Sequence, residues 1–323
     1  MDNPKENQLP PGALTGYLNE AVRRSGYPLQ TVIATELQKT FVVTEEWGYQ
    51  DRTTQEQRTL DVFAFKRLRE ENRAGVLVAP SVVLLVECKR SQHPFIFFKS
   101  ETEKGRALSG FPRICGLGPV VVQQNDSSRR EVSPCECLGL ETEPFSISRS
   151  PICTTLARAG AKPEDGSHRR KDSEAEPVRK GIVLTGSDAY NSILLPLASS
   201  LDFLGGYYSG SGQNVSPVIA FAVCVLDAHM VLSEGGPEDS VLSMVPWVRL
   251  IRRENKQFSR GYRHTQHVVD FVHRYALSDF VSEILQFADI VRERFIEKAG
   301  VFQRGRGIVK DLNNWKWSEV QPS

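Results

Sequence analysis

Two short stretches decide the fold: residues 58–65 read RTLDVFAF, and residues 82–89 read VVLLVECK. Both are rich in β-branched and aromatic residues, a composition that predicts β-strands. Side chains alternate between the two faces of a strand, so Glu87 and Lys89 share one face, about 7 Å apart along the strand. Asp61 stands among apolar neighbours on the first strand. If the two strands are adjacent, Asp61, Glu87 and Lys89 converge on one covered face of a sheet.

The elements around these strands predict an α/β fold with a central mixed sheet flanked by helices. A helical pattern and a first strand precede them, and a helix, one or two further strands and a closing helix follow. The elements outside the two central strands are residues 29–37, 41–49, 188–204, 218–226, 247–251 and 277–298. Residues 218–226 form a continuous apolar run, which is typical of a strand buried on both faces.

Composition excludes several classes of protein. The chain has 323 residues, of which 40% are hydrophobic and 24% are charged, so it can bury a core and is neither disordered nor collagenous. The 40 Lys and Arg against 39 Asp and Glu leave a formal charge of +1, so any basic binding surface must be local. The longest apolar runs are about half of the roughly 20 residues that a membrane span needs, and we expect no membrane association.

Glu36 is a candidate acid on the helix that precedes the strands. At about 100° per residue from Ile33, Leu29 lies at about −40°, Val32 at about −100° and Glu36 at about −60°. The carboxylate therefore falls inside an apolar arc and points toward whatever the helix packs on. The alternative is that Glu36 stands at the edge of a short helix and reaches water, since burial of an unpaired charge is unfavourable.

The convergence of two carboxylates and a lysine has a chemical meaning. Two carboxylates a few ångströms apart repel each other unless a proton or a divalent cation intervenes. A nearby ammonium such as that of Lys89 can hold an attacking water or stabilise a phosphate in its transition state. Metal-assisted hydrolysis of phosphodiesters is a task that fits this set, whereas solvated residues on an open sheet face are the plain alternative.

Asp61, followed by 25 residues and then Glu87-Cys88-Lys89, matches the pattern of the PD-(D/E)XK nucleases, and the chain resembles their restriction-endonuclease-like and Mrr-like members. The resemblance implies a restriction-endonuclease-like core that cleaves DNA with Mg²⁺ or Mn²⁺. It implies metal ligands at Glu36, Asp61, Glu87 and the Cys88 carbonyl, with Asp61, Glu87 and Lys89 as catalytic residues. Restriction or antiphage defence is the role expected by analogy. The chain departs from the family pattern in two ways. No Pro precedes Asp61, and a long insertion follows the third strand.

The resemblance suggests a division of the chain. Residues 1–11 form a flexible N-terminus, residues 12–90 the first half of the nuclease-like core, and residues 181–299 the second half. Residues 300–323 are a C-terminal tail. Residues 91–180 are expected to be a partly disordered insertion, since residues 161–180 carry 11 charged side chains and almost no aliphatic ones.

Residues 247–267 are strongly basic, with a single acid and two interleaved aromatic side chains. Phosphate contacts need such cations and give affinity that does not depend on base sequence. The alternative is a solvated surface loop. The candidate DNA-binding residues are Arg249, Arg252, Arg253, Lys256, Arg260 and Arg263.

The cysteines and histidines give weaker signals. Cys115, Cys135, Cys137 and Cys153 could form a structural zinc site, yet the single-residue gap between Cys135 and Cys137 favours ordinary buried thiols. His264 and His267 are expected to be a polar pair at the start of a helix rather than metal ligands.

The thiols also bear on the compartment and on a rival mechanism. The chain shows no apolar signal segment, so reduced thiols and a cytoplasmic location are expected. Cys88 and Cys224 lack the surroundings of an activated thiolate, which disfavours a thiol enzyme.

A second function class remains open: a non-catalytic nucleic-acid- or protein-binding subunit that keeps the nuclease-like fold. The presence of all the acids favours catalysis. The sequence leaves open whether the chain acts alone, as a homodimer or as one subunit of a multicomponent system, and whether its substrate is single- or double-stranded.

Overall fold

The computed structural model describes residues 13–99, 112–124, 129–140, 150–161, 181–208, 214–258, 261–311 and 316–317. A π-helical turn at Tyr190–Leu194 joins the fourth helix to the fifth, and a 3-10 turn at Arg274–Ala276 precedes the sixth. The α-helices are α1 (Ala13–Arg24), α2 (Tyr27–Gln38), α3 (Pro134–Cys137), α4 (Ser187–Ala189), α5 (Leu195–Tyr207), α6 (Leu277–Glu297) and α7 (Ala299–Arg304).

The strands of the first half are β1 (Val42–Gln50), β2 (Gln57–Arg67), β3 (Glu71–Arg73), β4 (Val76–Val78), β5 (Ser81–Arg90), β6 (Phe95–Lys99), β7 (Arg113–Cys115), β8 (Val120–Gln124) and β9 (Arg129–Val132). Those of the second half are β10 (Ile152–Ala161), β11 (Ile182–Thr185), β12 (Val218–Asp227), β13 (Met230–Glu234), β14 (Val241–Met244), β15 (Trp247–Phe258), β16 (Gly261–His273), β17 (Arg306–Asp311) and β18 (Lys316–Trp317).

A mixed sheet forms the centre of the molecule. Within the described residues it contains twelve strands, with the order β1-β2-β5-β12-β16-β15-β10-β6-β13-β14, while β11 pairs with β10 and β7 with β12. Strand β2 runs antiparallel to both of its neighbours, β1 and β5, whereas β5, β12 and β16 run parallel to one another. The carboxyl ends of these three parallel strands therefore meet at one edge of the sheet.

Each face of this sheet carries its own core. Val82, Leu84 and Val86 of β5 pack with α2 and α6, whereas Val83 and Leu85 pack with α5 on the opposite face. Strand β12 alternates in the same way, which explains its unbroken apolar sequence. These observations confirm the predicted α/β class with a large mixed central sheet flanked by helices.

The stretch 91–180 contributes to the sheet as well as to its periphery. Strands β6 and β10 pair with each other inside the sheet, and Phe97 and Cys153 are fully buried there. Residues 162–180, which carry most of the predicted disordered segment, lie outside the described residues, as does the N-terminal stretch 1–11.

Residues after 299 form defined elements. Strand β17 pairs with β8, so the C-terminal region joins a separate four-stranded sheet with the order β18-β17-β8-β9. Across the described parts of the chain, no helix combines the length and the apolar character that crossing a membrane requires.

Candidate functional site

The candidate site is built where β2 and β5 separate. The two strands pair from Arg67 opposite Ser81 up to Val62 opposite Val86, and there their pairing ends. Beyond that point β5 continues to Arg90 alongside β12 alone, while the start of β2 pairs with β1 alone. The strands thus form a fork, and Asp61 and Glu87 are the first residues past its branch point.

Asp61 bridges the fork. Its Oδ2 accepts a hydrogen bond from the Cys88 N–H at 2.6 Å, in place of the main-chain partner that β2 no longer offers. Gln30 of α2 donates from Nε2 to the Asp61 carbonyl oxygen at 3.1 Å, so the freed carbonyl is satisfied too. The side chain of Gln30 is buried, which makes α2 a fixed wall of the site.

A local irregularity in the neighbouring strand accompanies the fork. Glu46 of β1 adopts a left-handed φ of 51°, which is rare for a residue other than glycine. It falls opposite Asp61, since the flanking pairs are Glu45 with Val62 and Trp47 with Leu60. At this point the alternation of β2 also breaks, because Leu60 packs in the core under α5 and Val62 in the core under α2.

Glu87 and Lys89 form a close ion pair on the face covered by α5. Lys89 Nζ donates to Glu87 Oε2 at 2.7 Å. The Glu87 side chain is 5% exposed, whereas that of Lys89 is 30% exposed. The carboxylate is therefore held in the interior while the ammonium reaches the opening. These positions agree with the strand parity that the sequence predicts for the two residues.

Burial controls the protonation of the two acids. It raises the pKa of Glu87 to about 7, with Lys89 opposing the rise and Asp61 adding to it. Burial also raises the pKa of Asp61, against the Cys88 N–H and Lys89, which favour the charged form. For Lys89, burial favours the neutral amine, but Glu87 and Asp61 together raise its pKa. Lys89 is thus a cation beside two carboxyl groups that hold protons more tightly than usual.

An open cavity of about 430 Å³ lies over the fork. It is lined by Gly26, Tyr27, Gln30, Glu46, Asp61, Cys88, Lys89 and Arg90. Glu46 faces the same group of charges, since it raises the pKa of both Asp61 and Glu87. The cavity lining therefore combines two acids, Glu46 and Asp61, with two cations, Lys89 and Arg90.

The oxygen donors at the fork fit a hard divalent cation. Asp61 and Glu87 each use one carboxylate oxygen in the contacts above, so each keeps the other for a ligand. The N–H and C=O of a strand residue point to the same side, so the Cys88 carbonyl faces the fork with its N–H. No three His, Cys, Asp or Glu side chains among the described residues are grouped closely enough to enclose an ion. An ion held at the fork would have the two carboxylates, the Cys88 carbonyl and water as its ligands, a set typical of Mg²⁺.

Comparison with protein-family models, with curated proteins and with solved structures found no match.

Glu36 does not join the site, contrary to the prediction. It forms an ion pair with Lys39 at 2.5 Å on the exposed side of α2. The buried arc of this helix runs from Leu29 through Ile33 to Gln30, on the other flank from Glu36, and Val32 is 58% exposed. The sequence placed the arc on the wrong flank because Val32 is apolar. Gln30 is the α2 residue that contacts Asp61.

Gln30 and Glu46 are site residues that sequence reasoning missed. An amide inside an apolar arc was a usable signal for Gln30. Glu46 carried none, since its left-handed φ follows from the fork and not from a turn motif.

Arg249 is not available to DNA, which corrects a second prediction. Its Nε and Nη2 donate to Asp270 Oδ1 and Oδ2 at 2.7 and 2.9 Å, across the antiparallel pair β15–β16. Both side chains are buried, at 2% and 4% exposure. Arg249 and Asp270 therefore form a buried ion pair that links the two strands.

The other predicted DNA-binding residues lie further along the same hairpin. Arg252 is half-buried, with its guanidinium 4.1 Å from the Tyr190 ring centroid, and Arg253 is exposed. Lys256 and Arg263 face each other in the register, where only their main chain is described, and Arg260 lies outside the described residues. The stretch expected to be a strand and a loop is thus a strand and the start of its hairpin partner.

The predicted histidine pair also changes place. His264 and His267 lie within strand β16 and not at a helix start, and the His267 side chain is buried. The next helical turn begins only at Arg274. The β-branched and aromatic residues after His267 belong to strand β16, where the prediction placed the start of a helix.

The four cysteines weighed as a zinc site are divided between the two faces of the sheet. Cys115 and Cys153 belong to the core under α5, while Cys135 and Cys137 pack with the core on the other face. Burial raises the pKa of Cys115 to about 11 and that of Cys153 to about 12. Burial likewise raises the pKa of Cys88 and Cys224. Thiolate chemistry is disfavoured at each of these positions.

Proposed function

We propose that this chain is a divalent-metal-dependent endonuclease that hydrolyses DNA phosphodiester bonds on a core of the PD-(D/E)XK type. The observation that carries the proposal is the fork, where Asp61 and Lys89 line one polar cavity and the buried Glu87 is ion-paired with Lys89. The order of elements supports it: helix α2, strands β1, β2 and β5, helix α5 and the parallel strand β12. Asp61 and the Glu87-Cys88-Lys89 triplet occupy the second and third of these strands.

The proposed division of labour follows from burial and hydrogen bonding. Asp61, Glu87 and the Cys88 carbonyl would hold Mg²⁺ or Mn²⁺, and the ion supplies a bound water of lowered pKa and a Lewis acid for the phosphate. Asp61 is oriented by the Cys88 N–H, and Glu87 by Lys89. Lys89 keeps part of its ammonium in the cavity, where it can orient water or stabilise charge that develops on the phosphate.

A cation at the opening would guide the nucleic acid. Arg90 follows Lys89 on β5 and lines the cavity, whereas the exposed Arg253 of β15 lies toward the opposite end of β5. Phosphate contacts of this kind give affinity that falls with salt and depends little on sequence. Restriction or antiphage defence is the biological role in which we expect this activity.

The proposal is tested by incubation of the purified full chain with supercoiled plasmid, linear duplex and single-stranded DNA, with EDTA, Mg²⁺ or Mn²⁺. Cleavage of at least one substrate that requires the metal and disappears in Glu87→Gln supports the proposal. A folded protein that binds DNA but cleaves none of these substrates overturns it and supports the non-catalytic binding subunit instead.

A further inference from the structure

A second and larger cavity of about 870 Å³ adjoins the candidate site. It lies beyond the carboxyl ends of the parallel strands β5, β12 and β16, and helix α1 closes one side. We call it the basic cavity, because its lining includes Arg23, Arg90, His93, Arg158, His229 and His273. Arg90 lines both cavities, so the basic cavity is a neighbour of the opening over the fork.

The basic cavity keeps cations that its own acids do not neutralise. The acidic side chains of its lining are Glu20 and Asp227. Asp227 is shared by two guanidinium groups, with Arg90 Nε at 3.3 Å and Arg274 Nε at 3.2 Å. The side chains of Arg23 and Arg158 are exposed and form no ion pair within the described parts of the chain. An anion that enters therefore meets guanidinium donors with few competitors.

An aromatic ring stands among these lining residues. Tyr275 is 76% exposed, and its ring lies 5.3 Å from that of His273, between centroids. The Arg274 guanidinium lies 4.4 Å from the Tyr275 centroid. The Tyr275 N–H donates to His273 Nδ1 at 3.4 Å, which fixes the main chain of Tyr275 at the end of β16. An exposed ring of this kind is a surface on which a nucleic-acid base can stack.

We propose that the basic cavity is a nucleotide subsite that takes an unpaired nucleotide of single-stranded DNA, next to the proposed cleavage centre. Arg23, Arg90 and Arg158 receive the phosphate, and Tyr275 stacks on the base. A duplex base is already stacked and paired, so its face is closed to Tyr275, whereas an unpaired base is available. This inference rests on the proposed function for its placement beside the scissile bond, and it names the substrate class as DNA with an unpaired nucleotide at the site.

Binding without cleavage tests the subsite. Fluorescence anisotropy in EDTA compares a labelled single-stranded oligonucleotide with the matched duplex, using the full chain. Stacking contributes about 1–3 kcal/mol per base, so Tyr275→Ala is expected to weaken single-strand binding roughly tenfold and duplex binding less than twofold. Arg158→Ala should lower the slope of log affinity against log salt by about 0.7 on the single strand.

Two exposed residues that line neither cavity provide matched controls. Tyr207 is 71% exposed at the end of α5, and Arg69 is exposed beyond β2, near the start of β5. Tyr207→Ala and Arg69→Ala should leave both affinities unchanged. Equal effects of Tyr275→Ala and Tyr207→Ala, or equal loss on single strand and duplex, would overturn the subsite.

The outcome separates this inference from the nuclease proposal. Metal-dependent cleavage of single-stranded DNA that is indifferent to Tyr275→Ala and to Arg158→Ala would overturn the subsite and leave the nuclease standing. Single-strand binding that depends on Tyr275, without cleavage in any metal, would support the subsite and overturn the nuclease.

Discussion

Substitution of Asp61 by asparagine and by alanine separates the structural contribution of this carboxylate from its chemical one. Asp61 Oδ2 accepts the Cys88 N–H at 2.6 Å across the fork. Asparagine keeps an acceptor oxygen at this position and removes the negative charge, whereas alanine removes both.

The expected magnitudes follow from that contact. A hydrogen bond that involves a charged group contributes about 1.5–3 kcal/mol, and a buried N–H left without a partner is unfavourable by about 1–3 kcal/mol. Asp61→Ala should therefore lower the free energy of unfolding by about 2 kcal/mol. Burial raises the pKa of Asp61, so its charge does not stabilise the metal-free fold. Asp61→Asn should accordingly stay within about 1 kcal/mol of the wild type.

Urea unfolding in EDTA measures the free energy of unfolding of the two variants. The fluorescence of Trp47 is a suitable signal, since its ring stacks on that of Phe63 of the neighbouring strand, with 4.7 Å between the ring centroids. DNA cleavage in Mg²⁺ measures the chemical contribution of Asp61. The cleavage rate of both variants should fall at least about a hundredfold because both lose the metal ligand. Equal destabilisation by asparagine and alanine would refute the assigned role of the acceptor oxygen. Wild-type cleavage by Asp61→Asn would refute the assigned ligand.

Two further predictions concern the charges around the site. Arg249→Met leaves Asp270 as a buried charge without its partner, so urea unfolding should show that the free energy of unfolding falls by about 3–5 kcal/mol. The exposed control Arg253→Met should change it by less than about 1 kcal/mol. Equal effects of the two substitutions would contradict the buried pair. Glu87, with a pKa of about 7 against an ordinary 4.5, binds a proton in the folded protein that the unfolded chain has released. The metal-free protein should therefore lose stability as the pH rises from about 4.5 to about 7, by about 3 kcal/mol at 1.36 kcal/mol per pH unit. Glu87→Gln should flatten this dependence, and an unchanged profile would assign it to other groups.

The parts of the site that the sequence predicted are those set by local geometry. Strand side chains alternate with a period of two, so the shared face of Glu87 and Lys89 could be read from the triplet alone. The sequence left the adjacency of β2 and β5 as a condition, because composition predicts strands but not their partners. The structure pairs the two strands up to Val62 and Val86, so Asp61 and Glu87 are the next residues on either side of the fork.

The parts that the sequence could not predict depend on partners distant in the chain. Arg249 looked like the other basic residues of its stretch, and only the register of β15 with β16 brings Asp270 opposite it. The buried flank of α2 depends on where the sheet lies, and the apolar but exposed Val32 shifted the predicted arc toward Glu36 and away from Gln30. These errors arise from tertiary packing, which no local pattern encodes.

The most direct test of the central claim is single-turnover DNA cleavage by Lys89→Ala in Mg²⁺, with Ca²⁺ binding and DNA affinity measured on the same protein. Lys89 borders the cavity but is not a proposed metal ligand. The variant should therefore bind Ca²⁺ and DNA as the wild type does. Its cleavage rate should fall by two or more orders of magnitude, at least about 2.7 kcal/mol of transition-state stabilisation. Lys89→Arg should not restore the rate, because a planar guanidinium places its donors differently from an ammonium. Cleavage by Lys89→Ala at the wild-type rate would contradict the account.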